Sequence, residues 1–110
     1  MSHLPRVGEL RTKLALQTPV AVHDPLGGFA QQWQTIAEVW CAIETSAPQV
    51  AYEGAHRRSV VARRVVLRWR PDIHASMRLT GESGTFLILA VQDIDARRAF
   101  LACHCEEITS

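Results

Sequence analysis

What most restricts the fold of this chain is an apolar/polar alternation of period two, recurring in short stretches that each end in a cluster of turn-forming residues. Leu14 and Leu16 alternate with Ala15 and Gln17, and Val20 and Val22 keep the period past Pro19, as in a strand with one buried face. Pro19 has no amide to donate, which places this strand at an edge or a bend. Gln34 to Thr45 sets Ala37, Val39, Cys41 and Ile43 on one side and Glu38, Trp40 and Glu44 on the other. In Ser59 to Arg70, Val61, Val65, Leu67 and Trp69 share one face and Arg64, Arg68 and Arg70 the other. Arg63 interrupts the apolar face, and its stem can reach water from near the strand's start. Met77 to Thr80, Thr85 to Gln92 and Ala99 to Glu107 read as three more strands.

The connections agree with this pattern. His23-Asp24-Pro25-Leu26-Gly27-Gly28 combines proline, an acid and two glycines, a concentrated turn signal. Pro71-Asp72, Gly81-Glu82-Ser83-Gly84 and Asp93 to Arg98 mark further reversals. Ser46 to His56 keeps no period of either kind and reads as a long loop with room for a short helical turn, a feature that is functional more often than accidental in a small domain. The expectation is one all-β domain over residues 1–110, a small β-barrel of about six strands. Residues 1–12 form an N-terminal arm, and residues 46–58 form the long loop between the second and third strands.

With 47% hydrophobic and 21% charged residues the chain has the composition of a globular domain. Its apolar runs, such as Phe86 to Val91, fall far short of the ~20 residues of a membrane-spanning helix, so no membrane partner is expected. No apolar stretch follows a basic start at the N-terminus, so a secretory leader is not expected. Cys41, Cys103 and Cys105 are an odd number of thiols, which argues against a disulfide framework. In Cys103-His104-Cys105, strand alternation turns the imidazole away from the thiols, and no second Cys/His pair completes a zinc set, so neither metal nor cofactor is expected. There is no phosphate-cradling glycine loop, nucleophile elbow or paired histidine motif, and the chain does not read as an enzyme.

Charge is distributed unevenly. The net charge is +1, yet Arg57, Arg58, Arg63, Arg64, Arg68 and Arg70 fall in one segment without an acid, leaving six basic residues against eleven acidic ones elsewhere. Such polarity suits DNA phosphates or the acidic face of a neighbouring copy. Arginines at alternate strand positions stand about 7 Å apart, near the phosphate spacing of one DNA strand. Only Trp69 is interleaved with them, so stacking on bases is not favoured. The candidate interface residues are Trp40, Arg63, Arg64, Arg68, Arg70, Glu106 and Glu107, with the arginines meeting the terminal acids of a neighbour. A small nucleic-acid-binding barrel of the OB type is the alternative.

The order of motifs resembles the head–tail joining, or head-closure (stopper), family of long-tailed phages and gene transfer agents. The residues that carry this are Gly8-Glu-Leu-Arg-Thr-Lys-Leu14, Asp24 with Gly27-Gly28 and Trp33, Val39-Trp40-Cys41-Ala42-Ile43, and Arg68-Trp69-Arg70-Pro71-Asp72-Ile73 with Met77-Arg78-Leu79. Phe86 through Val91, Asp93, Asp95, Arg97, Leu101 and Glu106-Glu107 complete it. The resemblance implies a structural virion protein, assembled in the bacterial cytoplasm into a ring, commonly of about twelve copies. That ring would sit between a portal or adaptor and a tail terminator or tail tube, and would close the filled head. It also implies that the long loop, Ser46-Ala47-Pro48-Gln49-Val50-Ala51-Tyr52-Glu53-Gly54-Ala55-His56-Arg57-Arg58, projects into the channel and gates the packaged double-stranded DNA.

Overall fold

The computed structural model of the chain describes residues 9–45, 49–53 and 56–108. Its elements are β1 (Thr12–His23), β2 (Phe29–Thr45), β3 (Gln49–Glu53), β4 (His56–Val60), β5 (Ala62–Arg68), β6 (Arg78–Gly81), β7 (Gly84–Asp93), one turn of 3-10 helix at Ile94–Ala96, and β8 (Phe100–Ile108). Six of them close into the expected barrel in the order β1-β2-β5-β8-β7-β6, while β3 and β4 form a two-stranded ribbon. Every ladder is antiparallel. Closure leaves the barrel itself without edges, which is how a small all-β domain limits open pairing sites.

The barrel is lopsided because its ladders differ in length. β1 pairs β2 from Thr12↔Cys41 to His23↔Phe29, but it meets β6 only over Ala15–Gln17. β2 in turn meets β5 only from Cys41 to Thr45. The outer halves of β1 and β2 therefore pair with each other alone and project as a hairpin arm, in a molecule with extents of 49 × 34 × 26 Å. At the arm's root the register shifts between Leu16↔Ala37 and Gln17↔Thr35, a bulge that leaves Ile36 without a partner. Bulges increase local twist and bend the strand that carries them.

The long connection between the barrel's second and third strands has more order than a loop. Gln49↔Val60 to Glu53↔His56 form a regular antiparallel ladder. Ser46, Ala47, Pro48, Gly54 and Ala55 of the expected loop, and residues 1–8 of the expected arm, lie outside the described residues. The strand expected over Ser59 to Arg70 divides at Val61, whose carbonyl accepts the Glu107 amide at 2.9 Å, so β4 belongs to the ribbon and β5 to the barrel. β2 runs from the arm to the ribbon, so the two extensions leave the barrel at opposite ends.

The alternation selects the core as expected. Leu14, Leu16, Val39, Cys41, Val65, Leu67, Leu79, Phe86, Ile88, Leu101, Cys103 and Cys105 fill the barrel, with Ile73 and Met77 from the β5–β6 connection packed into it. A second, smaller cluster lies outside the barrel wall, where Val66 and Ala102 are covered by Ile94. This burial requires an unusual turn: Asp95, Ala96 and Arg98 all have positive φ, at 57°, 53° and 55°. The Asp93 carboxylate accepts the Arg98 amide at 3.1 and 3.2 Å and holds the turn closed. A left-handed conformation is costly for a residue with a Cβ, so Ala96→Gly is expected to raise unfolding free energy by roughly 0.5–1 kcal/mol, measurable in urea titration.

The three thiols are buried and free. Burial pushes Cys41 and Cys103 up to about 12, with the neighbouring Cys103 thiol adding to the effect on Cys41. Cys105 is raised further, again by burial first. The unfolded chain loses these protons near the ordinary value of 9.0 and the folded chain retains them. Stability is therefore full below pH 9 and falls as pH rises toward 12. The native protein at neutral pH is expected to react with a thiol reagent only as fast as it unfolds, and its Tm to drop on the alkaline side.

Candidate functional site

The residues singled out by charge fall into two groups at opposite ends of β5. At its start, Arg63 reaches Glu107 at 3.2 Å and Arg64 reaches Glu44 at 2.7 Å. Both acids stand on strands that flank β5, since Thr45↔Arg63 and Glu44↔Arg64 are register pairs on one side and Arg63↔Cys105 lies on the other. Glu107, assigned above to a contact between copies, thus faces an arginine of its own chain. Such pairs are half shielded and contribute modestly to stability. Glu106 lies opposite Ala62 in the ladder.

At the far end of β5 the strand leaves β2, and a groove opens between Trp40 and Trp69, floored by Val39 and Leu67. Arg68 and Arg70 line it, so Trp40, Arg68 and Arg70 are brought together here, while Arg63, Arg64 and Glu107 gather at the other end of β5. Arg70 is committed to Asp72 through two hydrogen bonds of 2.9 Å. That bonding holds the Asp72 carboxyl below its usual range and raises Arg70. Glu38, on the groove's rim, is taken by Lys13 at 2.9 Å. Arg68 is exposed and, among the described residues, has no acidic partner. Trp40 is 55% exposed, with the Lys13 ammonium 5.9 Å from its ring, and Trp69 is backed by the Arg98 guanidinium at 5.6 Å. Both aromatic walls are therefore propped by cations.

The arm is a further surface, to which the sequence reading assigned no role. Its root is fastened by Arg78, which donates to Gln17 at 2.6 Å and stacks on Trp33 at 4.3 Å. Its tip is an Asx turn: the Asp24 carboxylate accepts the Leu26 amide at 3.0 Å, and Gly27 supplies a φ of 92°. Leu26 is 94% and Phe29 74% exposed there, with His23 tilted against the Phe29 ring. From Leu14 to Ala37 the only formally charged residue is Asp24. That absence of charge was readable in the sequence, and it is the signal that would have identified the arm.

No group of histidine, cysteine and carboxylate side chains that could hold a metal occurs among the described residues. The chain is thus an intact closed barrel with two strand-built extensions and an aromatic groove at its rim. The phage head completion protein family matches residues 5–108, and the chain belongs to that family. Its members are structural proteins, and the place of this chain is in the virion, at the head–tail junction. Among solved structures it is similar to a chain in the virion of a native gene transfer agent particle, at 25% identity and a TM-score of 0.73 over 97% of this chain and 100% of that one. It shares its fold with protein SF1141 from Shigella flexneri 2a, at 23% identity and a TM-score of 0.66 over 94% and 96% of the two chains. A search of curated proteins finds no match.

Proposed function

We propose that the chain is a ring-forming stopper: copies of it join at the head–tail junction, close the DNA-filled head and connect the portal or adaptor to the tail. The observation that carries this reading is the family match over 5–108, together with similarity along the full length to a chain of a gene transfer agent virion. The architecture supports it, because extensions at opposite ends of a rigid barrel suit a protein that must engage one partner on each side. The β3–β4 ribbon is the element we assign to the channel, with Arg57 and Arg58 on β4 near the path of DNA. Its work is geometric and electrostatic, and no bond is made or broken.

The alternative of an OB-type nucleic-acid barrel relied on a free row of arginines along one strand. Arg63, Arg64 and Arg70 are each paired with an acid of the same chain, which removes most of that row. Imaging and mass spectrometry of purified particles test the proposal, the expected result being a ring of this chain between head and tail. Particles whose junction lacks the chain, combined with steeply salt-dependent DNA binding by the isolated protein, would reverse the choice.

A further inference from the structure

Two surfaces remain unexplained by the fold: the arm tip and the groove between Trp40 and Trp69. The tip offers two exposed apolar side chains, Leu26 and Phe29, beside the arm's one acid, Asp24. The groove offers two tryptophans beside Arg68, which has no acidic partner among the described residues, whereas Arg70 is paired with Asp72 and Glu38 with Lys13. One surface is apolar with a single negative charge, and the other is aromatic with one cation, Arg68, that is not paired within the groove as Arg70 and Glu38 are with Asp72 and Lys13. They match in chemistry and differ in shape, one protruding and the other recessed.

They cannot meet within one molecule. Phe29 and Trp40 lie on the same strand, eleven residues apart, which in extended geometry is roughly 36 Å. A contact between a tip and a groove must therefore join two copies. Because it uses different patches on the two partners, it repeats from copy to copy in one direction, the kind of contact that closes a ring. The composition of the arm agrees: the centres of protein interfaces are depleted in charge and enriched in aromatic residues. A two-stranded hairpin standing alone in water is marginal, so burial against a partner would also fix its shape.

We propose that the hairpin tip of one copy docks in the Trp40–Trp69 groove of the next, with Asp24 meeting Arg68 and Leu26 and Phe29 packing between the two indoles. This rests on the ring reading above and deepens it by naming the contact. The local role of Asp24 in the turn does not compete, since the Leu26 amide occupies one carboxylate oxygen and, among the described residues, no donor reaches the other.

The test uses particles assembled with a Leu26→Cys/Trp40→Cys chain, oxidised and resolved by denaturing electrophoresis; the three native thiols are buried and give a low background. The expected result is a ladder of this chain reaching well beyond the dimer. A dimer band alone, a cross-link to a different protein, or particles that contain the chain without cross-links would each overturn the contact and leave the head–tail reading intact. Absence of the wild-type chain from the junction would instead defeat that reading, and this contact with it. A second series does not depend on the cysteine variant folding. Arg68→Glu, which sets two acids face to face, is expected to lower incorporation at least tenfold with unchanged Tm. Adding Asp24→Asn, which keeps the turn and removes the repulsion, should recover most of it. Wild-type incorporation of Arg68→Glu would also overturn the contact.

Discussion

Replacing Gln49–Val60 by a short glycine-serine linker is expected to yield particles that assemble with the chain in place but fail to retain DNA. The argument starts from the ladders. The ribbon's strands pair only with each other, and the barrel's own ladders begin at Thr45↔Arg63 and Ala62↔Glu106. Removing the ribbon therefore leaves every barrel ladder intact, and the purified variant should keep a Tm close to that of the parent. If the ribbon blocks the channel, its loss acts on DNA retention alone, and the fraction of full heads, counted by electron microscopy or by nuclease-protected DNA, should fall severalfold. Well-sealed heads from the deletion variant would remove the gate from the proposed mechanism. A variant that failed to assemble would assign the ribbon to a contact between proteins.

The largest effect on the fold itself is expected from Phe86→Ala. Phe86 is 1% exposed, stands opposite Glu107 and Leu79 in adjacent ladders, and is the largest of the fully buried side chains. Truncating such a ring loses its transfer free energy and leaves a cavity that a closed barrel cannot collapse around, at a cost of about 3–5 kcal/mol. For a domain of this size that corresponds to a fall in Tm of roughly 12 °C or more. It is also a large part of the ~5–15 kcal/mol that holds such a domain together. A loss below about 1 kcal/mol in denaturant titration would mean that Phe86 is not central to the packing.

Both predictions depend on elements that differed in how well the sequence announced them. Leu14 with Leu16, and Val65 with Leu67, alternate because one face of each strand is buried, and that pattern carried the barrel. β2 begins at Phe29 and not at Gln34, because Gln31 and Gln32 lie on opposite faces of an arm whose strands pair only with each other. A strand with no buried face has no reason to alternate. The ribbon was missed for a similar reason, since five-residue strands around Gly54-Ala55 carry too few positions to establish a period. Val66 shares the strand parity of Arg64 and Arg68 yet is fully buried, because a turn distant in sequence places Ile94 over it. Arg63 shows the converse: its parity was inward, and an ion pair with Glu107 accommodates it. The groove at Trp40 and Trp69 was legible only as two aromatic residues, because it forms where two ladders end, a property of the assembled sheet.

Those ladder ends also determine how the molecule bears a load. The arm joins the barrel through β1, which is secured to β6 over three residue pairs, and through β2, secured to β5 over five. Antiparallel hydrogen bonds lie across the strands. A pull along the arm is therefore resisted in shear, by the bonds of each ladder acting together, whereas a sideways pull would open them one at a time. The strands place the arm's resistance along its own axis, and the short β1–β6 seam is where the barrel would part first.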